Sequence, residues 1–360
     1  MKKPTSSDVA KLAGVSQTAV SLILNENEKI SFSQETKERV FEAARQLGYT
    51  LPARKKKEKS NARVILVFTP TMANSYYTEL ITYVEEYAGP MGYYVQVCNT
   101  FRNPELEQYF LETQVSSHVV GIIYSFLPSF PKLIDQIMQN IPVVVIGEKQ
   151  ERTNLCSVGL NNLNAGAMVA EHLYKLGHRK IAFLTTPLDR FTLARSQRME
   201  GIRQQMERNG IQDGLEIIVS DRRELDFDSQ GDMPYEYAVG RQLTARFLKS
   251  NNGATALIGV NDMTALGIIA ELTASGYRVP QDFSVCGFDN IFMSSITMPG
   301  LTTIEHYLRT RCHTAADMLI NPSPAIRGVQ NIRDMRLLDK IEYTPMLIVR
   351  ESTGPCPTKE

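Results

Sequence analysis

The chain contains no apolar run of eighteen or more residues, which excludes a membrane-spanning helix by length. Nor does an apolar stretch follow Met1-Lys2-Lys3, so a secretory signal is not expected and the protein is placed in the cytoplasm. Cysteine is scarce: Cys98, Cys156, Cys286, Cys312 and Cys356 are odd in number, widely spaced and never in C-x-x-C. That pattern argues against both a disulfide framework and a zinc site, and Cys98 and Cys286 read as buried thiols within apolar runs. The five histidines are scattered, so no metal is expected. G-x-S-x-G, G-x-x-x-x-G-K-[ST], H-E-x-x-H and a strand-linked G-x-G-x-x-G are all missing. Hence no catalytic residue and no cofactor is expected, and an enzyme is the remote alternative.

Net charge is also absent, with 39 Lys/Arg against 39 Asp/Glu. The balance is uneven along the chain. Residues 1–61 hold 12 basic and 7 acidic residues, leaving 27 and 32 for the remainder. A basic head on a mildly acidic body is the electrostatic footprint of phosphate binding at one end. With 43% hydrophobic and 22% charged residues, 360 residues suit a globular protein of about two or three domains.

The head carries the sharpest local pattern. Val9, Ala10 and Ala13 form the inner face of one short helix, Gly14 permits a tight turn, and Ser16 caps the next. That second helix turns Ala19, Val20 and Ile23 inward and Gln17, Thr18, Ser21 and Leu22 outward. Such a helix-turn-helix sets the N-terminal side chains of its second helix against base edges in the major groove. A third helix opens at Ser33-Gln34-Glu35-Thr36, runs through Val40, Phe41, Ala44 and Leu47, and stops at Gly48. Gln17 and Thr18 are the expected base readers, because Gln matches adenine with two hydrogen bonds. Ser16, Ser21 and Asn25 are expected on phosphates.

Beyond Arg63 apolar strand runs alternate with amphipathic helices, the pattern of parallel sheets with flanking helices. One set of strands comprises 64–69, 93–99, 119–124 and 143–146, and a second 180–185, 216–219, 256–260 and 284–287. In open α/β sheets ligands bind beyond the carboxyl ends of strands.

The run D-V-A-K-L-A-G-V-S-Q-T-A-V-S (8–21), the S-Q-E-T helix ending L-G-Y (33–49), V-N-D-M-T-A-L-G (260–267), V-C-G-F-D-N (285–290) and V-R-E-S-T (349–353) together resemble the lactose/galactose repressor (LacI/GalR) family. The resemblance covers essentially the whole chain. It implies an α/β fold class: a small all-α helix-turn-helix head joined to a core of two parallel-sheet subdomains like a periplasmic binding protein. The implied boundaries are 1–49 for the head, 50–62 for a hinge, 63–160 plus 291–324 for one subdomain, and 161–290 plus 325–360 for the other.

The resemblance further implies a homodimeric bacterial regulator on palindromic double-stranded operator DNA. Its family hinge inserts a Leu into the minor groove. Here the linker reads P-A-R-K-K-K-E-K-S-N from Pro52, and Leu51 is the nearest aliphatic residue. Arg54, Lys55 and Lys56 are expected to contact phosphates. Leu22 stands where many members place Arg, so an apolar contact replaces a guanine contact.

For a small-molecule effector the family motifs point to Asn74 and Tyr76 after the first strand. They point to Arg190, Thr192 and Arg195 in the loop and helix after Thr185, and to Asn261 and Asp289 at later strand ends. The resemblance implies an aromatic platform for Tyr235, which precedes Gly240 at the family's spacing, and Asp262 is expected to cap the helix that follows it. A sugar leads because Asn261 and Asp289 suit hydroxyls, with a purine second because of Arg190 and Thr192. Control by a protein corepressor is the alternative trigger. His178 in L-G-H-R is expected to be structural.

Overall fold

The computed structural model describes residues 4–24, 32–49, 62–147, 155–188, 192–221, 233–250, 253–321 and 340–357. The chain divides into two compact units, residues 1–62 and 63–360.

In the head, α1 (Ser6–Ala13), α2 (Gln17–Leu24) and α3 (Gln34–Gln46) enclose a small core of Val9, Ala10, Ala13, Val20, Ile23, Val40, Ala43 and Ala44. Thr5 and Asp8 form a reciprocal capping box at α1, in which the Thr5 amide donates to Asp8 Oδ2 at 2.8 Å. Gly14 adopts φ +68°, a backbone that a side chain would strain. Ser16 Oγ accepts from the Ala19 amide at 3.1 Å, and Ser33 Oγ from the Thr36 amide at 3.2 Å. Two side chains depart from expectation. Ala19 is only half-buried, and Phe41 is 39% exposed because Ala43 takes the inward place in that turn.

The larger unit opens with β1 (Arg63–Thr69), α4 (Ser75–Ala88), β2 (Tyr93–Asn99), α5 (Pro104–Gln114), β3 (Val119–Tyr124), α6 (Pro131–Ile137), β4 (Val143–Ile146) and β5 (Cys156–Leu160). There follow α7 (Asn162–Lys175), β6 (Ile181–Thr185), α8 (Leu193–Arg208), β7 (Leu215–Val219), α9 (Tyr235–Ser250), β8 (Ala256–Gly259), α10 (Asp262–Ala274), β9 (Ser284–Cys286) and α11 (Phe292–Ile296). β10 (Thr303–Glu305), α12 (Leu308–Ile320), β11 (Lys340–Tyr343) and β12 (Met346–Ile348) complete it.

A six-stranded sheet in the order β11-β5-β4-β3-β1-β2 forms the first half and a four-stranded sheet β7-β6-β8-β9 the second. Both are parallel throughout. All four residues of β4, V-V-V-I, are buried, as a strand covered on both faces requires. β10 and β12 pair antiparallel, while bridges Cys286↔Thr302 and Asp289↔Glu305 tie β10 to the second sheet.

The halves exchange chain differently from the boundaries expected from sequence. Ile291, Leu301 and Ile304 pack into the second half's clusters, so the return to the first half falls near Leu308 rather than at 291. Strand β11 pairs with β5 in the first sheet, although 325–360 had been assigned to the second half. Ser352 returns to the second half, its hydroxyl donating to the Val285 carbonyl at 2.6 Å. A strand's apolar pattern identifies it as a strand without saying which sheet edge it joins.

Candidate functional site

The carboxyl ends of the strands in both halves converge on one cavity of about 880 Å³, counting the space at its mouth. Asn74, in the turn between β1 and α4, is buried and caps α4 by accepting from the Tyr76 amide at 3.0 Å. Tyr76 lines the cavity, its ring edge-on to His306 at 6.3 Å. Thr192 and Arg195 enter from the start of α8, where an Arg195 guanidinium N–H donates to the Thr186 hydroxyl. Asn261 and Asp289 close the second half's wall.

At the centre lies a buried polar cluster around Arg198. Its Nε donates to Asn162 Oδ1 at 2.9 Å, one Nη to the Val260 carbonyl at 2.6 Å, and the other faces Asp289 Oδ1 at 3.4 Å. The guanidinium also stacks 4.9 Å from the Phe288 ring centre. His306 Nε2 sits 3.4 Å from the same Nη, which makes it the acceptor and leaves the proton on Nδ1. That Nδ1 is 3.1 Å from Asp289 Oδ1, yet off the line a hydrogen bond needs.

Burial raises the Asp289 carboxyl to about 8, although Arg198 pulls the other way. His306 is held well below the ordinary imidazole range by burial and by the charges of Arg198 and Arg311. Asp289 and Asn290 have φ of +122° and +50°, strained values that aim the Asp289 side chain into the cavity. The turn is held by Asn290, which donates to Glu305 at 2.6 Å and accepts from Arg350 at 2.7 Å.

Several sequence expectations change here. Asn261, not Asp262, caps α10: its Oδ1 accepts from the Thr264 amide at 2.9 Å and from the Thr264 hydroxyl at 2.8 Å. Asp262 is wholly buried instead, accepting from the Ser294 hydroxyl at 2.6 Å and the Ile291 amide at 3.1 Å, with burial raising it to about 6. It fastens the 291–303 segment to α10. Tyr235 does not line the cavity. It is buried at the start of α9 with Val239 and Met263, because the first turn of α9 faces its own sheet. Arg190 lies outside the described residues, as do Asn25, Leu51, Arg54, Lys55 and Lys56.

Arg198, Asn162, His306 and Arg311 were missed as site residues; only Arg198 had a signal, the R-x-x-G motif, and it reads equally well as structural. His178 is fully buried, with Nδ1 2.7 Å from the Thr255 hydroxyl and Nε2 3.0 Å from the Ser284 hydroxyl.

In the head, Ser16, Gln17, Thr18 and Ser21 are exposed on or beside α2, and Leu22 is half-buried. Gln17 Nε2 donates to Ser6 Oγ at 2.8 Å. This presents a polar helix N-terminus suited to base edges. Among the described residues no helix is long and apolar enough to cross a membrane, and no His, Cys, Asp and Glu group suits a metal ion.

A capped helix-turn-helix and a two-sheet core with a polar cavity define a DNA-binding regulator with a ligand-binding core. Residues 5–51 match the model of bacterial regulatory proteins of the lacI family, and residues 170–353 that of the periplasmic binding protein-like domain. The HTH-type transcriptional repressor PurR of Haemophilus influenzae is 30% identical over 97% of this chain and 98% of its own. The lac repressor dimer bound to operator and the anti-inducer ONPF is 26% identical, with TM-score 0.61, over 98% of this chain and 100% of that one. A LacI-type regulator from Alkaliphilus metalliredigens in complex with D-xylulofuranose is 25% identical, with TM-score 0.63, over 81% and 99%. The chain belongs to the LacI family of transcriptional regulators.

Proposed function

We propose that this regulator is a dimeric repressor whose hold on a palindromic operator is switched by a sugar bound between the two halves of the core. The carrying observation is the cavity wall itself. Arg198, Asp289, Asn261 and Asn74 supply donors and acceptors at fixed positions, while Tyr76 and Phe126 offer ring surface. Hydroxyl groups need such a mixed set, and ring faces suit the apolar side of a sugar. The complex of the Alkaliphilus relative with D-xylulofuranose supports this class of ligand. Repression as the mode rests on the PurR relative.

Ligand closes the halves around itself, and a coupling of about 1–3 kcal/mol to head and hinge geometry is enough for a strong switch. Arg54, Lys55 and Lys56 add phosphate contacts from the hinge. Dimerisation is supported by the apolar side chains on and after α11: Phe292, Ile296 and Met298 are 66%, 60% and 97% exposed. An exposed apolar patch suits a two-fold contact between copies, which in turn suits a palindrome. A nucleobase is the second reading, favoured by Tyr76 at the cavity wall.

The test is a thermal-shift screen of the full chain against sugars, sugar phosphates, nucleosides and nucleobases. A ligand at about 100 times its dissociation constant adds about 2.7 kcal/mol of stability. A sugar hit abolished by Asp289→Ala supports the reading. A nucleobase hit replaces it, and no hit at all moves control to a protein corepressor.

A further inference from the structure

Among the described lining residues of the cavity, basic side chains outnumber acidic ones. Four arginines line it, Arg102 and Arg311 from the first half and Arg195 and Arg198 from the second, against Asp289 as the one carboxylate among the described lining residues. Asp262 and Glu236 lie close enough to act on Asp289 but do not line the space.

Arg311 is the telling residue. It sits in the first turn of α12, 2% exposed, and its Nε and Nη2 share a single acceptor, the Val158 carbonyl, at 3.4 and 3.1 Å. Its other Nη has no hydrogen-bond partner, and no carboxylate pairs with it, among the described residues. A buried guanidinium without an anion is expensive to keep, so an uncompensated one facing a cavity implies that the anion arrives with the ligand. Arg102 adds a second observation. Phe101 and Arg102 hold φ of +50° and +53°, a left-handed pair that non-glycine residues seldom adopt and that projects Arg102 into the cavity.

We infer that the effector carries an anionic group, a carboxylate or a phosphate, seated between Arg311 and Arg102 of one half and the arginines of α8 in the other. The inference rests on the proposed small-molecule site and names its ligand as a sugar acid or sugar phosphate rather than a neutral sugar. It also gives closure a driving force. An anion seated between the two walls is attracted from both sides, which favours the closed arrangement. Guanidinium is suited to the task because its fork matches both carboxylate and phosphate oxygens.

The experiment is calorimetric titration of the full-length protein with matched probes: D-glucose, D-gluconate and D-glucose 6-phosphate; D-ribose and D-ribose 5-phosphate; and inorganic phosphate alone. At least one charged sugar is expected to bind about ten-fold or more tighter than its neutral parent. Arg311→Gln should remove that preference, lowering the charged sugar's affinity about ten-fold more than its neutral parent's. Without ligand its melting temperature should equal or exceed that of the wild type, since a buried unpaired charge has been removed. Should Arg311→Gln not fold, Arg102→Gln on the half-buried loop serves the same comparison. Gluconate against glucose 6-phosphate separates carboxylate from phosphate. Neutral sugars binding as well as charged ones overturns the inference alone. Inorganic phosphate binding that is lost in Arg311→Gln, with every sugar silent, keeps the anion seat and removes the sugar reading. Silence from every probe removes both.

Discussion

Arg198 and Asp289 are 91 residues apart in sequence, and Arg198 Nη2 lies 3.4 Å from Asp289 Oδ1 with both side chains nearly closed to solvent. Arg198 also holds Asn162 and the Val260 carbonyl, so one guanidinium knits α7, the end of β8 and the 287–290 turn. Its removal strands three buried acceptors at once. Arg198→Ala should therefore destabilise the core by about 3–5 kcal/mol, read from chemical denaturation of the full chain. Arg198→Lys should recover part of the charge but not the forked geometry. Equal stability of wild type and Arg198→Ala would contradict this account.

Asp289 sets a pH dependence of definite sign. Its folded value of about 8 exceeds the ordinary carboxylate value, so the folded protein holds this proton more tightly than the unfolded chain. Stability from Asp289 is thus full at low pH and declines as pH rises from about 4 towards 8. Asp262, raised to about 6, contributes a decline of the same sign over the lower part of that range. His306, depressed by burial, acts oppositely and costs stability only as pH falls below the ordinary imidazole range. Asp289→Asn should flatten the fall in melting temperature between pH 6 and 8, a window set by the Asp262 and Asp289 values. A variant whose profile parallels the wild type would refute the assignment.

Helices α7 and α8 touch through two glycines. A Cβ on Gly166 would lie 2.0 Å from the Arg198 carbonyl oxygen, and one on Gly201 1.9 Å from that of Leu163. Gly166→Ala must push α8 away and carry Arg198 with it. The expected result is a loss of about 1–3 kcal/mol or more. Ligand affinity should fall beyond the change for Ser33→Ala, which loses only a helix cap in the head worth about 1 kcal/mol.

The head predicts a separation between folding and recognition. Gln17 is exposed, so Gln17→Ala should leave the stability of the head within about 0.5 kcal/mol of wild type. Operator affinity should drop by about 1–3 kcal/mol while binding to random DNA is unchanged, as compared at one salt concentration. Ser16→Ala, by contrast, removes the cap at α2 and should lower stability by about 1 kcal/mol.

Charge on the apolar patch should split the proposed dimer. Ile296→Glu with Met298→Glu places carboxylates where exposed apolar side chains now stand, and neither residue supports the core. Sedimentation of the double variant should report a monomer with unaltered helix content and weakened operator binding. A dimer that persists would locate the contact elsewhere.

Much of this architecture is legible in the sequence. Strands 93–99, 119–124 and 143–146 match the observed β2, β3 and β4. The apolar runs of β3 and β4 are continuous because both sheet faces are covered, whereas the edge strand β2 alternates. Ser16, Ser33 and Gly14 also do locally what their types suggest, since caps and tight turns depend on neighbours a few residues away. Cavity residues were legible where a motif marked a strand end, as for Asn74, Asn261 and Asp289. His306 and Arg311 carried no such mark, being ordinary residues in and before α12.

The sequence by itself determined the capped helix-turn-helix, the alternation of strand and helix, and the family, because these depend on short-range pattern and turn chemistry. Tertiary structure alone decided that Tyr235 faces a core, that Asp262 is a buried clamp and Asn261 the cap, and that β11 joins the first sheet. It also brought Asn162, Arg198, Asp289, His306 and Arg311 to one cavity. Burial and charge pairing are properties of what surrounds a side chain, and those surroundings come from segments far apart in the chain.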